Sequence, residues 1–375
     1  MPLNTKSRAA WKAAPLAAKT KEQAIGTVAE RQSVDAAAFF DPSLQTSVSL
    51  GMLTPQTPLP DTPALREQEM LLDIAHGILY RRLESQLLHS QGLYGVSLQI
   101  GPQYNIAYGT QMTLGTQENN WQQGLTLLEQ TLRQALEFGF SQQEIDQQLK
   151  RIHKGYQLSA AGSNTIHSVN IADSLVSAVA SRRVPVEPEW QLAMFEKLMP
   201  SITPQKLHQL FKQTWEGTPY LYLTNNKPIE SIEKQLLAAY NASQKQAVKA
   251  PETKAIAEFG YSQFGEAGQI VADQRDATTG IRKLEFANGV RLNLKPTSFN
   301  QGLTLVSLNI GFGEVPFPEL DGLSYLFNSA FVQGGLGLHD LDSLQEIFAG
   351  QDISVSLSFR EQSFGGEIST NAAEL

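Results

Sequence analysis

A helical zinc site needs two imidazoles one turn apart, so that both face one ion, and a carboxylate to polarise the bound water. The six histidines of this sequence are His76, His89, His153, His167, His208 and His339. No two of them lie within a helical turn, and neither His-Glu-x-x-His nor its inverse, His-x-x-Glu-His, occurs. The absence of cysteine removes thiolate metal sites, disulfides and cysteine nucleophiles. There is no Gly-x-Ser-x-Gly elbow. The glycines of "GFGEVP" and "QGGLGLHD" lack the Gly-Lys-Ser/Thr of a phosphate loop and read as tight turns. His76 falls on an apolar helix and reads as a core or boundary histidine with its hydrogen bonds met. His339, followed by "DLD", reads as a surface residue and at most an adventitious metal ligand. The arginine pairs of "YRR" (80–82) and "SRR" (181–183) read as helix-end or surface charges rather than anion sites.

The chain of 375 residues carries a formal net charge of -8 with its cations scattered, which argues against nucleic acid as a partner. No apolar run approaches the roughly 20 residues of a membrane span. The N-terminus is basic and Ala-rich but lacks the apolar core of a signal peptide. The chain stops at "STNAAEL", where a new helix is due, so both ends are expected to be cuts in a longer protein.

The elements that would position any site fall into two units. In the first, two strands between 28 and 53 lead through a Pro/Thr-rich loop to a helix capped by Thr62 with Pro63 at its first position. Leu65, Leu72, Ala75, Leu79, Leu83 and Leu87 recur along that helix. Tyr94 to Ile100 and Tyr104 to Leu114 alternate as a hairpin turning at "GPQ". A helical block follows, in which Ser141 and Glu144 form a capping box and Thr203–Pro204 start a further helix. "PYLYLT" is a strand and "PIESIEKQLLAAYNA" a helix. This order predicts an α+β fold with helices packed on one face of a mostly antiparallel sheet. Residues 243–279 read as a linker. The second unit opens with a hairpin turning at Asn288-Gly289. It continues with a buried strand "LTLVSLNIGFG", a helix at "GLSYLFNSAF", another at "DLDSLQEIFAG", and a last hairpin. Both units thus run strand, Pro-containing loop, helix and hairpin, as a duplicated half-domain would.

The collinear series of segments resembles the insulinase/pitrilysin-type zinc peptidases, in particular the large bacterial members built from four homologous half-domains. "TSVSLGMLTPQTPLPDTPALREQEML", "ILYRRLESQLLHSQGLYGVSLQI" and "FGFSQQEIDQQLKRI" resemble the second half-domain. They include Arg82-Leu83 and a Gly92-Leu93 turn with Tyr94 displaced by one residue. "LEFANGVRLNLKPTSFNQGLTLVSLNIGFG" and "GGLGLHDLDSLQEIFAGQDISVS" resemble the start of the third. The resemblance implies an N-terminal extension over 1–27, a complete non-catalytic half-domain over 28–242, the 243–279 linker, and a truncated third half-domain over 280–375.

Aligned on Gly322-Leu323, the helix at 322–331 places Tyr325, Asn328 and Ser329 where the active half-domain carries His-x-x-Glu-His. Tyr, Asn and Ser cannot supply a zinc-binding pair and a general base. This helix is therefore expected to be a structural remnant, with Leu323, Leu326, Phe327 and Phe331 on a packed core face. The implied division of labour puts zinc in a first half-domain outside this sequence and no cofactor here. The implied partners are a peptide substrate and the parent protein's other half-domains, with self-association through the second unit. The implied location is the periplasm. A family member that has lost catalysis and serves as a scaffold or assembly subunit is the alternative.

Overall fold

The computed structural model describes residues 26–375 except 253, 254, 256, 299–301, 318, 320, 321, 372 and 373, and omits the side chains of Ser329 and Val332. All but the last two residues of the expected N-terminal extension lie outside the described residues. The first unit is built on a five-stranded sheet ordered β1-β5-β2-β4-β3. Its strands are β1 (Asp35–Phe40), β2 (Ser47–Pro55), β3 (Leu93–Gln103), β4 (Ala107–Thr116) and β5 (Tyr220–Asn225). Only the β1–β5 pair is parallel. Seven helices accompany it: α1 (Pro63–Leu88), α2 (Trp121–Phe138), α3 (Gln142–Ala161), α4 (Ser168–Ala180), α5 (Pro188–Leu198), α6 (Pro204–Thr214) and α7 (Ile232–Gln244). Among the described residues, no helix is long and apolar enough to cross a membrane.

Local chemistry sets the helix starts. The Thr62 hydroxyl accepts the Leu65 N–H at 3.2 Å, and Thr203 does the same for Lys206. Ser141 and Glu144 close a reciprocal capping box. Strand alternation sets the core. Val48, Leu50, Met112, Leu114, Leu221 and Leu223 point from the sheet into a layer of Ile74, Leu79, Leu83, Leu125, Leu128, Phe195 and Phe211, all buried. Gly51 sits where a Cβ would lie 2.6 Å from the Tyr220 hydroxyl and 2.7 Å from the Thr110 carbonyl, so a side chain there would push the sheet apart.

The hairpin turns later than "GPQ". Those residues complete β3, and the reversal falls on Tyr104 and Asn105, with φ of 50° and 59°. The Ile106 N–H closes the turn on the Gln103 carbonyl at 3.1 Å. Positive φ at both central positions is the geometry that matches strand twist, and Asn tolerates it well.

In the second unit, β6 (Ile270–Arg275), β7 (Arg282–Phe286) and β8 (Arg291–Leu294) form one antiparallel sheet, and β9 (Thr304–Ile310), β10 (Ser354–Phe359) and β11 (Phe364–Thr370) another, ordered β10-β11-β9. Two points differ from the sequence reading. The segment read as linker contains β6, which pairs with β7 and carries a 2.7 Å ion pair from Asp273 to Arg282. The strand expected to be buried, β9, is exposed at Leu305, Leu308 and Ile310. It is a sheet edge, and α8 (Leu323–Ala330) packs on β10 at the opposite edge. The last helix, α9 (Leu341–Ile347), joins the two units. Asp342 accepts a 2.8 Å hydrogen bond from Ser85 of α1, and the Gln345 carbonyl accepts one from Arg151 of α3 at 3.0 Å.

Candidate functional site

Of the three positions nominated on α8, the two whose side chains are described, Tyr325 and Asn328, are engaged separately. Tyr325 is 82% exposed. Asn328 is bound to the β10 backbone, accepting the Phe359 N–H at 2.6 Å and donating to its carbonyl at 3.1 Å. The Ser329 side chain lies outside the described residues. The expected core face is only half realised. Phe327 stacks on Phe331 at 4.4 Å and meets Phe364 edge-on at 5.3 Å, whereas Leu326 is exposed because no covering layer reaches that side among the described residues.

Two histidines also depart from their sequence readings. His339 is buried rather than superficial. Its Nε2 accepts the Gly260 N–H at 2.8 Å and its ring stacks on Phe259 at 5.6 Å. Tyr261 reinforces the contact by donating to the Leu336 carbonyl and accepting the Leu338 N–H at 3.0 Å. His339 therefore clasps the segment between the units. His76 is in the core as expected, with ring centroids 5.6 Å from Phe211 and 6.4 Å from Trp215. Its Nε2, however, has no hydrogen-bond partner, and burial pushes its pKa down to about 3. The imidazole is held neutral.

Arg81, Arg82 and Arg183 of "YRR" and "SRR" are tied into ion pairs. Arg82 binds Glu144 through two nitrogens at 2.7 and 2.9 Å. Burial works to raise the Glu144 pKa, but the guanidinium outweighs it and holds the carboxyl below its ordinary value. Arg183 pairs with Glu69 and lies 3.6 Å from Asp61. Asp61 in turn accepts two bonds from Arg66, at 2.8 and 2.5 Å, and the Val184 N–H at 2.7 Å. Arg66, first among these, brings its pKa down to about 2.

The Asp61–Arg183–Glu69 network borders a cleft that the sequence reading did not single out. Glu69, Asp73, His76 and Tyr80 form one stripe of α1, at helical spacings of three and four residues. Opposite stand Leu98 and Ile100 of β3 and Tyr108 of β4, and the space between is about 500 Å³. Asp73 is exposed at the mouth, with the cleft walls on one side of it. Loss of hydration, then the neighbouring Glu69 carboxylate, raises its pKa. Tyr108 is pushed up to about 12 by burial, then by Glu69 and Asp73. Perturbed groups gathered in one cleft mark a functional-site candidate. The available signal was "EQEMLLDIAH", an acid pair at i, i+4 followed by a histidine, and it has the form of an ordinary solvated helix face until β3 and β4 are folded against it. Among the described residues, no three His, Asp or Glu side chains are grouped so as to hold a metal ion.

No protein-family model matches the chain, and no curated protein matches it in sequence. Solved structures do match. The periplasmic protease PqqL from Escherichia coli superposes on 99% of this chain with a TM-score of 0.55 at 16% identity. The fold is that of the insulinase/pitrilysin proteases. A predicted insulinase family protease from Yersinia pestis matches 64% of the chain and 54% of its own length, with a TM-score of 0.52 at 22% identity. A mutant of the ferredoxin protease FusC, in complex with Arabidopsis ferredoxin, matches 91% with a TM-score of 0.57 at 8% identity. The chain spans 42% of PqqL and 39% of FusC, less than half of either. The resemblance drawn from the segments thus holds for the fold, and so does the α+β class of the insulinase/pitrilysin half-domain.

Proposed function

We propose that this chain is the non-catalytic central part of a zinc-dependent, periplasmic peptidase, and that it forms part of the wall of a chamber enclosing peptide substrates. In this reading residues 28–242 are the second half-domain and 280–375 open the third, with the segment between them as connector. The observation that carries it is the superposition of nearly the whole chain on less than half of a periplasmic protease. The residues of α8 do not fit zinc: Tyr325 stands in solvent and both ends of the Asn328 amide are engaged by β10. The metal, and a glutamate to act as general base, belong in this reading to a first half-domain outside the sequence. The role of the present chain is to bury that partner's apolar surface and line the enclosure. Exposed Leu305, Leu308 and Ile310 of β9 offer apolar surface for a further half-domain or for self-association.

The test is cleavage of a quenched fluorescent peptide. The purified chain should give no chelator-sensitive turnover. The parent polypeptide containing the first half-domain should give turnover that a chelator abolishes. Chelator-sensitive cleavage by the 375-residue chain alone would overturn the reading, and an inactive parent that still binds peptides would point to the scaffold alternative.

A further inference from the structure

We propose that the cavity at the junction of the two units is a binding site for a carboxylate carried on a long alkyl chain. This recognition is independent of the protease reading above.

The cavity has about 830 Å³ and two unlike walls. Helices α1 and α3 of the first unit supply Arg81, Arg151 and Lys154. The second unit supplies an apolar wall, with Leu344 of α9, Phe348 just beyond it, and Val355 and Leu357 of β10. Among the described residues, no aspartate or glutamate lines the cavity. Three cations without an acid complement an anion. The apolar wall is also unfilled. Leu158 is 46% exposed, Leu336 47% and Val355 50%, so apolar surface that burial would stabilise stands open to water.

The three cations are not equivalent. Arg81 is paired with Glu84 at 2.8 Å, and Lys154 lies 3.6 Å from Glu374. The Arg151 guanidinium has no carboxylate within ion-pair distance among the described residues, and its hydrogen bond goes to the Gln345 carbonyl at 3.0 Å. Loss of hydration, then the neighbouring Arg81, lowers its pKa, against the pull of Glu346, Glu84 and Asp342. A guanidinium is a planar fork of five donors matched to a carboxylate, so Arg151 has donors for a ligand beyond the one given to Gln345. The rest of the ligand is an alkyl chain rather than a peptide. Apart from the cations, Gln345 and Gln351 are the only polar side chains lining the cavity. A peptide backbone buried there would leave N–H and C=O groups unmet, whereas a run of methylenes asks for no partner. The volume falls in the range of small-ligand pockets.

The test uses the full chain and calorimetric titration with dodecanoate below its micellar concentration. Dodecyltrimethylammonium, dodecan-1-ol and N-acetyl-trileucine with a free carboxylate serve as comparisons. Dodecanoate should bind saturably, with a single molecule per chain. The ammonium and the alcohol should bind at least about tenfold more weakly, the scale of one charge-assisted hydrogen bond, and the tripeptide should also bind more weakly. Arg151→Met should lose at least about tenfold for dodecanoate. Should that variant loosen the junction, Leu158→Asp still decides: it sets a like charge in the cavity from a half-exposed position of α3. It should lose as much affinity with an unchanged thermal midpoint. Equal binding of the ammonium, uptake of dodecanoate without saturation or no uptake at all would each overturn the proposal. So would tighter binding of the tripeptide, or full affinity in either variant when folded.

Discussion

Helices α1 and α8 occupy equivalent places, each following a strand and a Pro-containing loop, yet they meet different fates. Helix α1 runs 26 residues and buries nine of them. Helix α8 runs eight, with Tyr325 and Leu326 in solvent. Sequence near the two starts does not explain this, since α8 opens on the more apolar "LSYLF" and α1 on "PALREQE". What differs is the cover. Around α1, the helices α3, α5 and α6 complete a layer over the five-stranded sheet, and burial then stabilises every turn. Around α8 the described residues supply one strand and a cluster of phenylalanines. An amphipathic helix draws most of its stability from the surface it is packed against, so the same motif is a core element in one unit and a peripheral one in the other.

The sharpest way to break this comparison is to truncate one residue in each region. Phe211, fully buried against His76, Phe140 and Trp215, should cost about 3–5 kcal/mol on Phe211→Ala. Leu326→Ala should cost less than about 0.5 kcal/mol. Urea denaturation of both variants decides it, and equal losses would mean that α8 is covered after all.

A second test concerns a buried polar network specific to the first unit. Glu129, 2% exposed, accepts from Arg133 at 2.7 Å and Gln244 at 2.5 Å and also from Ser243. Glu129→Ala leaves Arg133 uncompensated and should destabilise by about 3 kcal/mol. The exposed Asp273–Arg282 pair of the second unit is screened by solvent, so breaking it should shift stability far less than losing Glu129. Thermal midpoints of Glu129→Ala and Asp273→Ala give the ratio.

The acid limb of stability sharpens the contrast further. His76 titrates near 6.5 when unfolded and at about 3 when folded. Between those values the unfolded chain binds the extra proton, so the contribution is complete above about pH 6.5 and is lost as pH falls towards 3. Asp61, held down to about 2 against 3.8, adds a further loss as pH falls from about 4 to 2. His76→Phe should flatten the curve of unfolding free energy between pH 6.5 and 4, while a wild-type slope in that variant would show that another group carries it.

The smaller effects lie at the junction and the cleft. His339→Ala removes the acceptor for Gly260 and should cost about 1 kcal/mol, read as faster proteolysis between residues 245 and 269. Unchanged cleavage would show that Tyr261 holds the segment alone. Asp73→Asn should raise stability near neutral pH by a few tenths of a kcal/mol. Its folded pKa is raised, so the charged form costs stability above that pKa and none below both values. A gain that persists at pH 3 would have another origin.

What the sequence by itself determined lies within a few residues of chain. Thr62, Ser141 and Thr203 begin helices because their oxygens meet N–H groups three positions on. The strands of the first sheet follow from alternation, and the family resemblance from their order. What only the tertiary structure decided depends on partners far away in sequence. The role of His339 was set by Gly260, 79 residues distant. Strand β6 needed β7 to become a strand, and β9 stayed exposed because, among the described residues, no layer covers its side chains. The acid stripe of α1 became a cleft only when β3 and β4 folded over it. A carboxylate's hydration, and hence its pKa, is set by the walls around it rather than by its neighbours in the chain.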